Sequence, residues 1–452
     1  MGSIPSRYKM SLFSAVCIVI ANMVGTGVFT SLGFQLLAIT DPFAILMLWF
    51  VGAVVAVCGA LVYGELGSAM PRSGGEYHYL SKIYHPAVGF SSGWVSVTVG
   101  FAAPVALSCM AFGSYLSRVF SLASPAGMAV SILILVTLIH CLGFRTGVLF
   151  QNVFTVFKIV LILGFALLGF LLVKEPVGVS FSPNASSFRF IFRSSFAVSL
   201  VYVSYAYSGW NAAGYVANEL DRPQKKLPVS LWTGTVVVAG LYLLLNGSFL
   251  AAAPIPEMAG QLDVAFVPAQ RVFGSAGGKI LAAMIAILLV SSVSSMVFVG
   301  PRVTQVMGED MQLFRFFSGT SRAGIPVRAI LFQSAISLIL IVSSTFERVL
   351  TYVGFTLNLF TVLAVFGVFI HRLRFPDAIR PYRTWGYPVV PVVFLAFACW
   401  MQVYLVLERP VQAFAGLGTA LLGLICYFMD SALKKRRNTL QPIRKTEVGH
   451  KS

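Results

Sequence analysis

Long apolar stretches alternate with short polar gaps along almost the whole chain. Most stretches are long enough to cross about 30 Å of hydrocarbon as a helix that rises about 1.5 Å per residue. They predict twelve membrane spans, at residues 10–37, 43–68, 87–118, 126–143, 148–173, 190–218, 229–252, 276–307, 327–344, 349–371, 388–407 and 411–431. The chain is therefore predicted to be an all-α integral membrane protein, with its transmembrane domain at residues 1–433.

The first apolar stretch is interrupted at Gly25-Thr26-Gly27 and then resumes. In hydrocarbon every backbone N–H and C=O needs a partner inside the protein, so an opened helix is tolerated where the freed groups line a cavity. The new helix N-terminus can bind a carboxylate, and the new C-terminus can bind an ammonium group. The interruption therefore indicates either a binding site for a zwitterion or, more simply, glycines that permit close helix packing.

The sixth span has a similar interruption at residues 204–211 (SYAYSGWN). It lies five spans after the first interruption, and because five is odd, the two interrupted spans are predicted to run in opposite directions. Two such helices, each opening a half of five spans, are typical of inverted-repeat transporters. The predicted halves cover residues 10–173 and 190–371, and accessory helices follow at 388–431.

Composition and charge support this interpretation. The chain is 58% hydrophobic and 10% charged, with a mean hydropathy of +0.86, which excludes an ordinary soluble domain. Of its 32 Lys and Arg residues, 23 lie on the side of the termini, 8 lie on the other side and Lys158 lies within a span. This asymmetry predicts cytoplasmic termini in a plasma or inner membrane. The basic tail at 434–452 is expected to be disordered and to contact lipid headgroups, not nucleic acid.

The six cysteines form no CxxC pair and no cluster in a loop. They are expected to be free, buried thiols, with no disulfide framework and no zinc site. No metal ion and no cofactor is expected elsewhere in the chain.

Several stretches carry a family resemblance when they are taken in order. They are GTGVF at 25–29, YGELG at 63–67 with PRSGGEY at 71–77, YAYSGWN at 205–211, and ELDRP at 219–223. Together they resemble the amino acid–polyamine–organocation (APC) superfamily, most of all its L-type amino acid transporters and their bacterial relatives. The resemblance implies a LeuT-like fold of five plus five inverted-repeat helices, with helices 1 and 6 discontinuous. It also implies secondary transport of amino acids by alternating access.

The resemblance further implies a substrate site. The backbone N–H groups of Thr26 and Gly27 would hold the substrate carboxylate. Its ammonium group would meet carbonyls near Met23, Tyr205 and Ser208, and Tyr205 would also form an aromatic gate. The complete set implied for the substrate is Met23, Gly25, Thr26, Gly27, Tyr205, Ser208, Gly209 and Asn211.

One departure from the family concerns a partner. Animal members that are linked to a heavy chain carry a cysteine in the loop between spans 3 and 4, but residues 118–125 contain none here. A disulfide-linked heavy chain is therefore not expected.

Lys158 lies near the middle of span 5 among apolar residues. A central lysine costs several kcal/mol and needs a role or a partner. It resembles a lysine that some family members carry where sodium-coupled relatives bind a cation, and its ammonium would then bridge carbonyls of span 1 to hydroxyls of span 8. The candidate hydroxyls are those of Ser291, Ser292, Ser294 and Ser295.

Three roles for Lys158 remain open at this point. A permanent ammonium would act as a built-in cation and give sodium-independent facilitation or exchange. A lysine that releases and rebinds a proton in each cycle would give proton symport. In the simplest case, the ammonium only holds the helices together.

The predicted spans contain no Asp or Glu near their middle, so a cationic side chain would lack a buried counter-charge. This favours neutral L-amino acids over a cationic amino acid or a polyamine, which is the alternative. Candidate walls of the pocket are Ser96 and Thr98 in span 3, the serines of span 8, and Tyr352 and Asn358 in span 10. A non-transporting amino acid sensor also stays open. An enzyme is not expected, because no histidine is placed beside a nucleophile or a carboxylate pair within the spans.

Overall fold

The computed structural model describes residues 9–120, 124–142, 145–173, 181–183, 185–321 and 324–448, with side chains except at 145–151, 185–186 and 435–448. These residues form helices and no strand; a single parallel bridge pairs Met10 with Leu220. The helices are α1 (Leu12–Met23), α2 (Thr26–Gln35), α3 (Pro42–Ala69), α4 (Glu76–Ile83), α5 (Pro86–Val95), α6 (Ala102–Ser117), α7 (Pro125–Leu142), α8 (Arg145–Leu171), α9 (Ala185–Ile191), α10 (Ser194–Tyr207), α11 (Ala212–Tyr215), α12 (Pro223–Ala252), α13 (Ile255–Met258), α14 (Phe266–Asp310), α15 (Val327–Ser343), α16 (Phe346–Arg374), α17 (Val389–Glu408) and α18 (Pro410–Val448).

Local sequence explains where several helices begin. The side chain of Ser11 accepts a hydrogen bond from the N–H of Ser14 at the start of α1, and Asp41 accepts one from Ala44 at the start of α3. Both are N-caps, which satisfy N–H groups that have no partner in the helix. Helix α3 also begins with Pro42, which loses nothing by lacking an N–H in the first turn.

Ten helical segments of the described residues are long and apolar enough to cross a membrane. The prediction of an all-α, multi-pass membrane protein is therefore confirmed. The helix Val327–Ser343 is apolar but shorter, and the segment formed by α10 and α11 is broken. The count of twelve spans and the inverted repeat thus stay predictions.

Two elements differ from the predicted boundaries. Helix α14 starts at Phe266, ten residues before the predicted start of its span, because a kink at Gly274 (φ 74°) joins a short helix to the long one. Helix α18 continues to Val448, through the basic segment for which the sequence predicts disorder. At the start of this continuation, the ammonium of Lys434 lies 3.1 Å from the carboxylate of Asp430, one turn earlier. The domain boundary at 433 stays a prediction.

The two interrupted segments run in opposite directions. Helix α1 begins beside Met10, whose N–H donates to the carbonyl of Glu219, just after α11. Helix α2 ends at the other side, where the carbonyl of Gly33 accepts from the N–H of Gly260. Helix α10 starts on that side too, because the hydroxyl of Ser187, shortly before it, donates to the carboxylate of Asp41, shortly after α2. We call the side that holds Met10 the terminal face and the other side the opposite face.

A π-helical turn, Ser96–Phe101, joins α5 to α6. Such turns insert an extra residue into a helix and are frequent at functional sites. Here Ser96, Gly100 and Phe101 of the turn border the central cavity described below.

Candidate functional site

The two helix interruptions touch each other at the centre of the protein. A Cβ atom at Gly27 would overlap Cα of Ala206 in α10, and a Cβ at Gly209 would lie 2.8 Å from the carbonyl carbon of Asn22 in α1. Gly209 also adopts φ 98°, which favours glycine. The packing interpretation of the glycines therefore holds at Gly27 and Gly209, whatever else these residues do.

Each interruption exposes helix ends to the same region. Helix α1 ends at Met23 and α2 begins at Thr26, so the first N–H groups of α2 have no partner within their helix. Helix α10 ends at Tyr207, and the N–H of Ser208 donates to the carbonyl of Tyr205 over 2.9 Å. Donors of one segment and acceptors of the other thus lie close together.

Two tyrosines link the interrupted segments. The hydroxyls of Tyr205 and Thr26 are hydrogen-bonded at 3.1 Å. The hydroxyl of Tyr242 in α12 lies 2.6 Å from the carbonyl oxygen of Met23 and 3.0 Å from that of Ala206, so its one proton is shared between the two segments. Sequence reasoning missed Tyr242, because span 7 contains several hydroxyl side chains and nothing in the sequence distinguishes this one.

Lys158 is fully buried and joins α8 to α1 and α14. Its ammonium donates to the carbonyl of Val24 over 2.9 Å and to the hydroxyl of Ser292 over 2.7 Å, and the carbonyl of Ala21 lies at 3.5 Å. The hydroxyl of Ser292 in turn donates to the carbonyl of Val24. All three ammonium donors therefore have an acceptor, which offsets the cost of burying the charge.

The four candidate serines of α14 have different surroundings. Ser292 alone of the four contacts Lys158 within the described residues. The hydroxyl of Ser294 is bonded to Nε2 of His140 at 2.8 Å, and the hydroxyls of Ser291 and Ser295 have no hydrogen-bond partner in the described part of the chain. Successive helical residues point about 100° apart, which separates these side chains.

A cavity of about 120 Å³ lies beside the second interruption. Four of the predicted substrate residues line it, namely Tyr205, Ser208, Gly209 and Asn211. The other four, Met23, Gly25, Thr26 and Gly27, are buried and form none of its wall among the described residues. In this conformation the cavity therefore reaches the second interruption but not the first.

Ser96 and Asn358 line this cavity, as expected for pocket walls. Thr98 and Tyr352 do not line it within the described residues. The hydroxyl of Thr98 donates to the carbonyl of Trp94, and the hydroxyl of Tyr352 is bonded to that of Thr419. Both side chains serve contacts within or between helices.

Glu76 also lines the cavity, and sequence reasoning missed it. This carboxyl is 3% exposed, and its Oε1 accepts from the hydroxyl of Tyr63 at 2.5 Å and lies 3.1 Å from that of Thr361. The side-chain amide of Asn211 donates to the same oxygen over 3.4 Å. Burial raises the pKa of Glu76, because only neutral donors offset the cost of its charge.

The position of Glu76 explains why it was overlooked. It belongs to the motif at 71–77, which lies in the gap between predicted spans 2 and 3, and α4 is not among the apolar helices long enough to cross a membrane. Helix α4 nevertheless packs against α16 and brings the carboxyl to the cavity. The expectation that a cationic side chain would find no buried carboxylate is therefore wrong.

Comparison with known proteins decides the family. The model of the amino acid permease family matches residues 10–425, which is most of the chain. The chain belongs to this family. As an amino acid permease it is a transporter rather than an enzyme, and the resemblance to the APC superfamily is confirmed.

Several curated transporters are similar to this permease over most of their length. The b(0,+)-type amino acid transporter 1 of Homo sapiens is 26% identical over 93% of this chain and 87% of its own. The large neutral amino acids transporter small subunit 2 of Homo sapiens is 26% identical over 95% and 81%. The serine/threonine exchanger SteT of Bacillus subtilis (strain 168) is 26% identical over 95% and 98%.

Proposed function

We propose that this permease carries neutral L-amino acids across a plasma or inner membrane by alternating access, without sodium. The observation that carries the proposal is the crossing of two antiparallel interrupted helices, which places free N–H groups and helix-end carbonyls together. Such a crossing binds both ends of a zwitterion. The similar proteins, whose names describe amino acid transporters and an exchanger, support the same class of substrate.

The binding mode follows from the hydrogen bonds around the first interruption. The N–H groups of Thr26 and Gly27 hold the substrate carboxylate in this proposal. The carbonyl of Met23 already accepts from the N–H of Gly25 and lies within bonding distance of the Tyr242 hydroxyl. A carbonyl oxygen has two lone pairs, so the substrate ammonium reaches Met23 only when Tyr242 moves away.

Alternating access requires that each side open in turn. On the terminal face, Arg72 pairs with Asp310 at 2.9 Å. On the opposite face, Arg118 pairs with Asp263, and Gly260 is bonded to Gly33. Contacts therefore close both faces here, and we propose that one set opens at a time. In this orientation the terminal face is cytoplasmic.

Lys158 supports sodium independence, because its ammonium occupies the space between the Val24 carbonyl and the Ser292 hydroxyl. A fixed ammonium gives exchange, and an ammonium that loses its proton in each cycle gives proton symport. Both mechanisms are retained in the proposal. A disulfide-linked heavy chain forms no part of it, since the loop at 118–125 has no cysteine.

A cationic amino acid is the second candidate substrate, and Glu76 favours it. The carboxyl lines the cavity, and no Lys, Arg or His of the described chain lies within ion-pair distance of it. A substrate cation would supply the missing charge.

The test is uptake of labelled amino acids into proteoliposomes, with an inward proton gradient or with internal amino acid. Stimulation by the proton gradient that disappears in Lys158→Ala would support symport through Lys158. Stimulation by internal substrate alone would support exchange. Lys279→Ala, at an exposed position of α14, is the control and should behave as the wild type. Binding without any flux would contradict transport and support the sensor alternative.

A further inference from the structure

Glu76 presents its two carboxyl oxygens to different surroundings. The donors of Tyr63, Thr361 and Asn211 all lie around Oε1. Oε2 has no hydrogen-bond partner among the described residues, although Glu76 borders the cavity. The donors come from α3, α16 and the segment before α11, so they fix the carboxyl from three directions.

Because the donors around Oε1 fix the carboxyl in place, Oε2 is positioned to recognise a ligand. A carboxylate accepts up to about four hydrogen bonds, so Oε2 retains free lone pairs while Oε1 is occupied. Oε2 does not belong to the fully buried atoms without a partner, so it is open to the cavity, and a donor on an occupant can bond to it.

Other polar side chains of the cavity wall direct their donors elsewhere. The amide of Asn358 donates to the carbonyl of Ala398 over 3.0 Å, and the amide of Asn22 donates to that of Ile18 over 2.8 Å. The hydroxyl of Ser204 points to the sulfur of Met401. Each of these three groups thus has a donor engaged within the protein, whereas Oε2 of Glu76 is an acceptor that favours an occupant able to donate a hydrogen bond.

We infer that Glu76 determines side-chain specificity: Oε2 accepts a hydrogen bond from a donor on the substrate side chain, whether hydroxyl, amide or ammonium. This inference rests on the proposed function, because it takes the cavity as the place of an amino acid side chain. A neutral polar and a cationic amino acid share this chemistry, and the two arms of the experiment separate them.

The experiment compares amino acids that differ only in the donor. Threonine and valine have the same shape, as do ornithine and norleucine, and each competes with a labelled amino acid for uptake into proteoliposomes. The wild type should prefer the donor-bearing member of at least one pair by roughly tenfold, as expected for a hydrogen bond to a charged group. Preference in the threonine pair alone identifies a neutral substrate, and preference in the ornithine pair identifies a cationic one.

Glu76→Gln tests the residue directly. The amide oxygen still accepts from the three donors, while an NH₂ group replaces the free acceptor. The ornithine preference should disappear, and the threonine preference should fall less because a hydroxyl can also accept from an amide. Should the amide variant fold poorly, Glu76→Asp keeps the charge and should retain a weaker preference of the same sign.

Thr361→Val is the matched control, since it removes a neighbour of Oε1 and leaves Oε2 in place. It should keep the preference ratio even if uptake is slower. A wild-type ratio near one in both pairs, an unchanged ratio in Glu76→Gln, or an equal loss in both variants would overturn the inference alone. Absence of uptake and of binding by the wild type would overturn the proposed function as well.

Discussion

At the scale of single residues, the site depends on polar groups that each serve two helices. The hydroxyl of Tyr242 is shared between the carbonyls of Met23 and Ala206, and its ring packs edge-on against Trp49 at 5.4 Å between centroids. Removing the hydroxyl would leave the ring in place and free both carbonyls. The hydroxyl of Tyr242 therefore holds the interrupted segments together, and a substitution by phenylalanine would remove this hydroxyl while keeping the ring.

We expect Tyr242→Phe to lower the free energy of unfolding by about 1 kcal/mol, because buried carbonyls lose a donor. It should also change the apparent affinity for substrate, since the Met23 carbonyl becomes available. Thermal unfolding of purified protein with and without amino acid would measure both effects. Tyr207→Phe is the control: its hydroxyl bonds only Trp49 in the described chain, at 3.3 Å, and a larger effect there would contradict the role of Tyr242.

Ser292→Ala and Ser291→Ala form a second matched pair. We expect roughly tenfold slower uptake in Ser292→Ala, because a hydrogen bond to a charged group contributes about 1.5–3 kcal/mol. Ser291→Ala should have little effect, since that hydroxyl has no partner in the described residues. The measurement is the initial uptake rate of each variant at equal amounts of reconstituted protein. Equal reductions of the rate in the two variants would argue against a role for the Lys158–Ser292 contact.

Lys158, Ser292 and Glu76 show which parts of the site can be predicted from the sequence and which cannot. Lys158 stands out because a charge in an apolar span needs a partner. The choice of Ser292 among four serines could not be made, because an error of one residue turns a side chain by about 100° around the helix. Glu76 could not be recognised for another reason: α4 lies outside the apolar spans, and only the packing of the folded chain brings its carboxyl to the cavity.

At the scale of elements, the two interruptions differ in how tightly they are packed. Glycines in apolar stretches predicted both interruptions, but the sequence does not show which neighbouring helix each glycine faces. A Cβ at Gly25 would make ordinary contact with the hydroxyl of Ser292 at 3.7 Å. A Cβ at Gly209 would meet the backbone of Asn22, and φ is positive there.

We therefore expect Gly209→Ala to lose at least about 1–2 kcal/mol of stability from backbone strain alone. Gly25→Ala should fold normally. The yield of monodisperse protein and its melting temperature would show the difference. A stable, correctly folded Gly209→Ala protein would contradict this description of the crossing.

Gly27 also lies against backbone. Its replacement by a β-branched residue would therefore disturb folding, so such a variant cannot test substrate binding separately.

At the scale of the whole molecule, carboxylates hold the two faces closed. Glu65 accepts two hydrogen bonds from Arg372, at 2.8 and 2.7 Å, and one from the N–H of Thr384 at 2.7 Å, which joins α3 to the loop after α16. Asp263 pairs with Arg118 on the opposite face. The two carboxylates thus restrain different sides of the same cavity.

Replacing each of these two carboxylates by a neutral amide should shift the protein toward opening on opposite sides of the membrane. We expect Glu65→Gln to favour opening at the terminal face and Asp263→Asn to favour opening at the opposite face. About 1 kcal/mol would change each population roughly fivefold. The measurement is the labelling rate of Ser96→Cys, from each side of the membrane, in a background without the native cysteines. Glu257→Gln, whose partner Arg271 is exposed, is the control, and equal changes from both sides would argue against alternating opening.

The contact between Gly27 and Ala206 has an evolutionary consequence. A Cβ atom at Gly27 would lie 2.3 Å from the backbone Cα of Ala206, so a smaller side chain at 206 cannot make room for it. Within this family position 27 should therefore stay glycine whichever residue stands at 206, and Gly27→Ala should remain harmful when it is combined with Ala206→Gly. Descendants that keep this fold should thus keep the spacing of the two backbones at this point, even where the side chains around it change.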